Sequence, residues 1–180
     1  MCAVSIQNPT LCFFPLLFFG QTYNFTNYGV KEGLSQSNVS GIIQDSAGFY
    51  WFSTEGGLSR FDGINFTNYS TENGLADNNI NALFYSSDNK IWIGHLNGAI
   101  TFYDGKNFKE VKSDLLPKDK KIYSFFEDHD GNIWIGTESK GCLKIKSPKK
   151  NNYSSFDFEA FDSKVGMSQH VISITEIGRA

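Results

Sequence analysis

The feature that most constrains the fold of this chain is a five-residue segment that occurs twice. NFTNY occurs at residues 24–28 and again at 65–69. The first copy precedes GVKEGLSQSNV and the second precedes the similar segment STENGLADNNI. An exact recurrence with a matching downstream segment indicates an internal repeat, and the repeat length restricts which architectures are available. The chain is therefore predicted to consist of tandem copies of one unit.

Three tryptophans set the length of that unit. Trp51, Trp92 and Trp134 stand 41 and 42 residues apart, in FYWFST, KIWIGH and NIWIGT. Two further registers mark the repeats: the phenylalanines Phe25, Phe66, Phe108 and Phe158, and the pairs Gly33-Leu34, Gly74-Leu75 and Gly166-Met167, each of which begins eight residues after its own phenylalanine. Repeats are predicted at about 24–64, 65–106, 107–156 and 157–180, and the last one stops before its tryptophan.

Each unit reads as four short strands. In repeat one, VSGIIQD, FYWFST, GLSRFD and INFTNY show the two-residue apolar period of strands, and turn residues separate them. Four strands in 41 to 42 residues are typical of a β-propeller blade. Kelch repeats are longer, and WD40 repeats would place Trp-Asp where this chain has Trp-Ile-Gly or Trp-Phe-Ser.

The predicted fold class is therefore all-β. We expect a partial β-propeller of four-stranded antiparallel blades, with about three blades, the start of a fourth and a lone outer strand at 24–28. Because closed rings have roughly four to eight blades, the chain is expected to be the front of a longer propeller. The high aromatic content, 16% of residues, agrees with a strand-rich chain.

The first twenty residues differ from the repeats. LCFFPLLFFG, residues 11–20, is an apolar run too short to span a bilayer but of the right length for the core of a signal peptide. We predict an exported leader at 1–20 and the propeller at 21–180; the alternatives are a buried strand or a misassigned start. Removal of the leader would leave Cys142 as the sole cysteine, so no intrachain disulfide is expected.

The sequence gives no catalytic, metal or cofactor motif. It lacks a glycine-rich phosphate loop, a Cys or His pair at metal spacing and a Gly-x-Ser-x-Gly motif. DHDGN, residues 128–132, is interpreted as a polar turn because its glycine stands fourth, where a calcium loop needs it sixth. With a net charge of −3 and no basic patch, contact with nucleic acid is not expected either. We predict a non-enzymatic segment without cofactor or metal.

Blade geometry sorts the polar residues onto two faces. The loop before the first strand and the turn between the second and third strands share one face, which we call the upper face. Its side chains vary between repeats while the strands do not, as expected for a recognition surface or for ordinary solvated loops. The candidate ligand-binding residues are Ser35, Gln36, Asn38, Glu55, Asp77, Asn78, Asn79, His95, Asn97, Glu138 and Lys140. Residues 118–121 of repeat three are expected on the same face.

Two other features are interpreted as structural. Trp51, Trp92 and Trp134 lie mid-strand among aliphatic residues, so packing between blades is favoured over sugar stacking. KSPKKNNYSS, residues 146–155, lengthens the third repeat by eight residues between its third and fourth strands. It is expected to be a basic loop on the opposite face, solvated or in contact with a neighbouring domain.

The repeats resemble a known family. DSAGFYWFSTEGGLSRFDG, DNKIWIGHLNGAITFYDG and DHDGNIWIGTESKGCLKI resemble two-component regulator propeller repeats, over about residues 28–177. There are departures: His95 replaces the usual Thr of repeat two, Ala99-Ile100 replaces Gly-Leu, and repeat three lacks the Gly-Leu pair before its first strand.

The resemblance implies an architecture and a function. Such propellers are seven-bladed and periplasmic, and they precede an immunoglobulin-like domain, a transmembrane helix and a histidine kinase in sensors of Bacteroidetes, many of which recognise oligosaccharides. It implies a ligand-binding sensor segment on the periplasmic side of the inner membrane. Its partners would be a small molecule or oligosaccharide, further blades and a kinase part, with membrane contact only through a downstream segment. A secreted propeller that binds or scaffolds without kinase output is the alternative, and the start of a propeller enzyme is a third.

Overall fold

The fold was analysed in a computed structural model that describes residues 25–146, 153 and 155–175. Its strands, in chain order, are β1 Val39–Gln44, β2 Tyr50–Thr54, β3 Gly57–Phe61, β4 Phe66–Tyr69, β5 Ile80–Tyr85, β6 Ile91–His95, β7 Ile100–Tyr103, β8 Phe108–Val111, β9 Ile122–Glu127, β10 Ile133–Thr137, β11 Cys142–Ile145 and β12 Phe158–Phe161. Single 3-10 turns lie at Val30–Glu32, Thr71–Asn73 and Ser163–Val165. Among these residues no helix has the length and apolarity to cross a membrane.

The strands form three four-stranded sheets, which we call blades 1, 2 and 3. Each is an antiparallel meander in chain order: β1 to β4, β5 to β8 and β9 to β12. The prediction of an all-β partial propeller with four-stranded antiparallel blades is confirmed. The turns follow from their residues: Gly57 has φ 126°, and a Cβ there would overlap the carbonyl oxygen of Tyr69 in the outer strand. Only glycine satisfies both conditions.

The blades join through their inner strands and through two apolar layers. The Ser40 hydroxyl donates to the carbonyl oxygen of Ile80 at 2.9 Å, and the Asn81 side-chain amide donates to that of Ile122 at 2.8 Å. These bonds fix β5 beside β1 and β9 beside β5. The first apolar layer, between blades 1 and 2, contains Trp51, Leu58, Leu75, Ile80, Ile91 and Ile93. The second, between blades 2 and 3, contains Ala82, Trp92, Ile100, Phe102, Val111, Ile122, Phe125, Ile133, Ile135, Leu143 and Ile145.

The expected lone strand at 24–28 is not a strand where it is described. Residues 25–29 have no strand geometry, and Asn24 lies outside the described residues. The physical reason is that a strand needs a hydrogen-bonded neighbour, and none of the sheets in the described part of the chain includes this segment. Tyr28 instead packs its ring against Phe61 and Phe66, at centroid distances of 5.0 and 5.9 Å.

Two aromatic residues of the long connection between β11 and β12 contact blade 2. Residues 147–152 and 154 lie outside the described residues, but Tyr153 and Phe156 pack on the core of blade 2. The Tyr153 ring stacks on Phe102 at 5.0 Å, and its hydroxyl donates to a carboxylate oxygen of Asp88. Burial raises the pKa of the Tyr153 phenol, and this hydrogen bond raises it further. The connection between β11 and β12 thus contributes two aromatic side chains to the neighbouring blade.

Candidate functional site

The candidate residues of the sequence analysis lie in three separate groups, one at each blade. In blade 1, the side chains of Ser35, Gln36, Asn38 and Glu55 come together. The Asn38 amide donates to Glu55 Oε1 at 2.7 Å, and the backbone N–H of Asn38 donates to Gln36 Oε1 at 2.8 Å. The Ser35 hydroxyl lies 2.9 Å from that of Thr54. These polar groups satisfy one another and shape the turn.

In blade 2, the side chains of Asp77 and Asn78 brace the loop that enters β5. Asp77 Oδ1 accepts the backbone N–H of Asn79 at 3.2 Å, and Asn78 Oδ1 accepts that of Thr71 at 2.9 Å. Asn97 Oδ1 accepts the backbone N–H of Ala99 at 2.9 Å and so closes the β6–β7 turn. The side chains of Asp77, Asn78 and Asn97 therefore contribute to loop structure as well as to the surface.

His95 is not on the surface. The residue is 0% exposed, although it ends β6 next to the upper face. Its Nε2 lies 2.9 Å from the Thr101 hydroxyl. Nδ1 finds no hydrogen-bond partner of suitable geometry among the described residues, although the backbones of Asp77 and Asn79 lie close to the ring. His95 cannot touch a ligand without movement of the loop above it.

Burial decides the protonation state of this ring. Removal from water disfavours the imidazolium ion and lowers the pKa of His95 to about 4, against the opposing effects of the Asp77 carboxylate and nearby backbone groups. The ring is neutral at neutral pH. Thr54 and Thr137, at the equivalent positions of the other blades, use their hydroxyls to hold the β2–β3 and β10–β11 turns. His95 fills the same space with a titratable group.

In blade 3, Glu138 and Lys140 flank the β10–β11 turn. Glu138 Oε2 accepts the backbone N–H of Lys121 at 3.0 Å, and this bond, together with the charges of Lys120 and Lys121, lowers the pKa of the Glu138 carboxyl. Lys140 is exposed, and its backbone N–H donates to the Thr137 hydroxyl at 2.9 Å. The turn is thus fixed by its own residues, with the Lys140 ammonium group free to face solvent.

Two of the three tryptophans, Trp51 and Trp92, lie in the apolar layers between the blades. Trp51 and Trp92 are 1% and 0% exposed, and Trp134 is half-buried beside Phe161 at 5.2 Å. The indole N–H of Trp51 donates to Asp45 at 2.8 Å, and that of Trp134 donates to Asp128 at 2.7 Å. In blade 2 a serine replaces this aspartate, and the indole N–H of Trp92 has no partner within the described residues.

A cavity of about 650 Å³ opens on the upper face beside blade 2. One wall is the β6–β7 turn, residues 97–99. The other is the end of β8 together with part of the loop 112–121, up to Asp119; we call this loop the entry loop of blade 3. The backbone N–H of Asp119 donates to the carbonyl oxygen of Asn97 at 2.9 Å, which ties the two walls together. A Cβ at Gly98 would overlap the carbonyl oxygen of Pro117, so the turn and the loop touch directly.

Sequence reasoning found one wall of this cavity and part of the other. Asn97 lines the first wall, and Lys118 and Asp119 of the predicted segment 118–121 line the second; Glu110, Lys112 and Asp114 were not selected as candidates. The available signal was the missing Gly-Leu pair at the start of repeat three, since a departure there predicts a different loop path. No group of His, Cys, Asp and Glu suited to a metal ion occurs in the described residues.

A family comparison agrees with the repeat positions. The two component regulator propeller family matches three segments of the chain, residues 33–56, 74–97 and 116–139. Each segment runs from the loop entering a blade to the turn after its second strand. No curated protein matched the chain in a sequence search.

Solved structures share the fold. The extracellular domain of a hybrid two component system from B. thetaiotaomicron has a TM-score of 0.68 and 19% identity, over 82% of this chain and 20% of that one. A second such domain from the same organism has a TM-score of 0.62 and 18% identity, over 81% and 19%. Streptogramin B lyase gives 0.57 and 19%, over 72% and 42%. The chain thus spans about a fifth of the length of the two extracellular domains, and at these identities the likeness shows the fold.

Proposed function

We propose that the chain is the extracytoplasmic ligand-binding sensor segment of a two-component signalling protein. The observation that carries the proposal is the threefold family match at residues 33–56, 74–97 and 116–139. The likeness in fold to extracellular domains of hybrid two component systems supports it. The ligand would be an oligosaccharide or another small molecule, and the output a histidine kinase elsewhere in the full-length protein.

The strands and the loops have different roles in the proposed sensor: the strands provide the stable frame and the loops provide the residues that contact a ligand. The apolar layers between blades make a rigid frame, and loops of unequal sequence project from that frame on the upper face. Binding residues on loops can change without cost to the frame, because the loops contribute few of the buried side chains. A ligand that contacts loops of two blades at once would favour one arrangement of those blades, and such differential binding is what a sensor needs.

The experiment measures on which side of the inner membrane the repeats lie and whether an added saccharide stimulates histidine phosphorylation. Cells that express the full-length protein are treated with an external protease before and after permeabilisation of the outer membrane, and the site of cleavage is mapped. Membranes from the same cells are then incubated with ATP and a defined oligosaccharide mixture, and histidine phosphorylation is measured. We expect cleavage within the repeats from outside the inner membrane, and phosphorylation that depends on the added saccharide.

A secreted binding or scaffold protein is the second candidate. It is favoured by one likeness in fold: PorZ of Porphyromonas gingivalis, described as an essential surface component of the type-IX secretion system, has a TM-score of 0.55 and 14% identity, over 76% of this chain and 23% of that one. Release of the protein from cells without any saccharide-dependent phosphorylation would select this candidate and exclude the sensor. Protection of the repeats from protease in spheroplasts would exclude both.

A further inference from the structure

Three departures from the repeat pattern meet at one place in the fold. His95 stands where the other blades have Thr54 and Thr137, and Ala99 stands where they have Gly57 and Gly141. The third departure is the entry loop of blade 3, residues 112–121, which lacks the Gly-Leu pair. His95 and Ala99 are the two ends of the β6–β7 turn, where the backbone N–H of His95 donates to the carbonyl oxygen of Ala99 at 3.0 Å. The entry loop lies against that same turn.

In blades 1 and 2, a Gly-Leu pair holds the entering loop against the third strand of the blade, so that no space is left there. Ahead of blade 2, Leu75 is 4% exposed in the first apolar layer, and the N–H of the next residue, Ala76, donates to the Thr101 hydroxyl at 3.1 Å. Ahead of blade 1, the N–H of Ser35 donates to the Ser59 hydroxyl at 3.0 Å in the same way. These two contacts hold the entering chain against the third strand of the blade.

Blade 3 has lost both halves of this contact. Its entry loop has no Gly-Leu pair, and Leu143 replaces the serine or threonine whose hydroxyl would accept the bond. The loop is instead held by the bond from the Asp119 N–H to Asn97 and by Pro117, which is buried. Because the loop runs toward blade 2, it leaves the cavity of about 650 Å³ between them. This volume lies within the roughly 300–1,000 Å³ of small-molecule sites.

The lining of the cavity limits what it can hold. The lining residues include three acidic ones, Glu110, Asp114 and Asp119, and two lysines, Lys112 and Lys118. Lys112 Nζ lies 3.6 Å from Glu110 Oε2, so one positive charge is already paired. The charged side chains that line the cavity sum to one net negative charge, which disfavours the binding of an anionic ligand. Carboxylates, ammonium groups and the Asn97 amide together offer the acceptors and donors that hydroxyl groups need.

We propose that this cavity, between residues 97–99 and the entry loop of blade 3, binds a neutral or amino-bearing, hydroxyl-rich ligand and discriminates against uronate-bearing and sulfated ones. The proposal rests on the sensor function above and assigns its ligand to one site on the upper face. The equivalent positions at the other blades are closed by the Gly-Leu contact and serve as frame.

The experiment uses the full-length protein and a matched pair of variants. Lys118 and Lys120 are both exposed on the entry loop, but only Lys118 lines the cavity. Lys118→Trp fills the opening with an indole ring, and Lys120→Trp places the same ring on the same loop outside it. Binding of wild type and both variants is measured on an array of neutral, amino-bearing, uronate-bearing and sulfated oligosaccharides, and unfolding curves check that both variants are folded.

The expected result is binding of neutral or amino-bearing saccharides that Lys118→Trp weakens by at least about tenfold and Lys120→Trp leaves within about twofold. Equal effects of the two variants would overturn the site while leaving the sensor function intact. Selective binding of sulfated or uronate-bearing saccharides would overturn the ligand class. Failure of wild type to bind any saccharide on the array would contradict both the oligosaccharide-sensor function and this site.

Discussion

Replacing His95 with threonine should remove a specific pH dependence of stability. In the unfolded chain this imidazole has a pKa near 6.5, and in the folded protein burial lowers it to about 4. Between these values the unfolded chain binds a proton that the folded one excludes. The contribution to stability is therefore full above about pH 6.5 and is lost progressively as the pH falls toward 4.

The size of the effect follows from the two pKa values. One pKa unit corresponds to about 1.4 kcal/mol, so the free energy of unfolding should fall by about 2 kcal/mol from pH 8 to pH 5 and by about 3 kcal/mol from pH 8 to pH 4 through His95 alone. In His95→Thr, this pH-dependent contribution to the free energy of unfolding is absent. The threonine also restores the residue that holds the corresponding turns in blades 1 and 3.

The assay is denaturant unfolding from pH 4 to pH 8 for wild type, His95→Thr and a control, Asn97→Ala. The control loosens the same turn by removing the bond to the Ala99 N–H but removes no titratable group. We expect the control to keep the wild-type pH profile and His95→Thr to flatten it between pH 6.5 and 4. Parallel profiles for wild type and His95→Thr would refute the assignment of a buried neutral imidazole.

Three further predictions concern packing. Trp92→Ala should lower the free energy of unfolding by roughly 3–5 kcal/mol, because its ring is wholly buried between blades 2 and 3; an unchanged midpoint in urea would contradict this. Gly98→Ala should cost more than about 2 kcal/mol, whereas Gly105→Ala, which has a similar positive φ but open space, should cost about 1 kcal/mol; equal losses would contradict the close approach at Gly98. Tyr153→Ala should cost roughly 1–3 kcal/mol through its lost stacking on Phe102, and Tyr153→Phe much less; equal melting temperatures for the two variants would contradict the packing of the long connection.

The four-stranded blades could be predicted because the sequence signals for strands and turns are local and recur in every repeat. VSGIIQ and FYWFST carry the strand period in their own residues, and the glycine turns between strands need no distant partner. The 41-residue spacing then predicts that the strands recur. Residues 25–29 show the limit of this reasoning, because the pattern of NFTNY is that of a strand but strand geometry also needs a hydrogen-bonded neighbour.

The candidate site could be predicted only by face. Blade topology places loops on the upper face, but it does not say which loops leave a space between them. The burial of His95 depends on the path of residues 76–79 above it, and the cavity depends on a contact between Gly98 and Pro117 that lie in different repeats. The role of Tyr153 likewise depends on the neighbouring blade. Such contacts have no periodic signature in sequence.

Hydrogen–deuterium exchange of the full-length protein, with and without a neutral oligosaccharide that it binds, tests the central claim most directly. We expect the ligand to protect residues 97–99 and 110–119 from exchange. We expect no change at the equivalent turns, residues 55–57 in blade 1 and residues 138–141 in blade 3. Protection at those turns with none at 97–99 and 110–119 would contradict the claim that the break in the repeat pattern forms the ligand site.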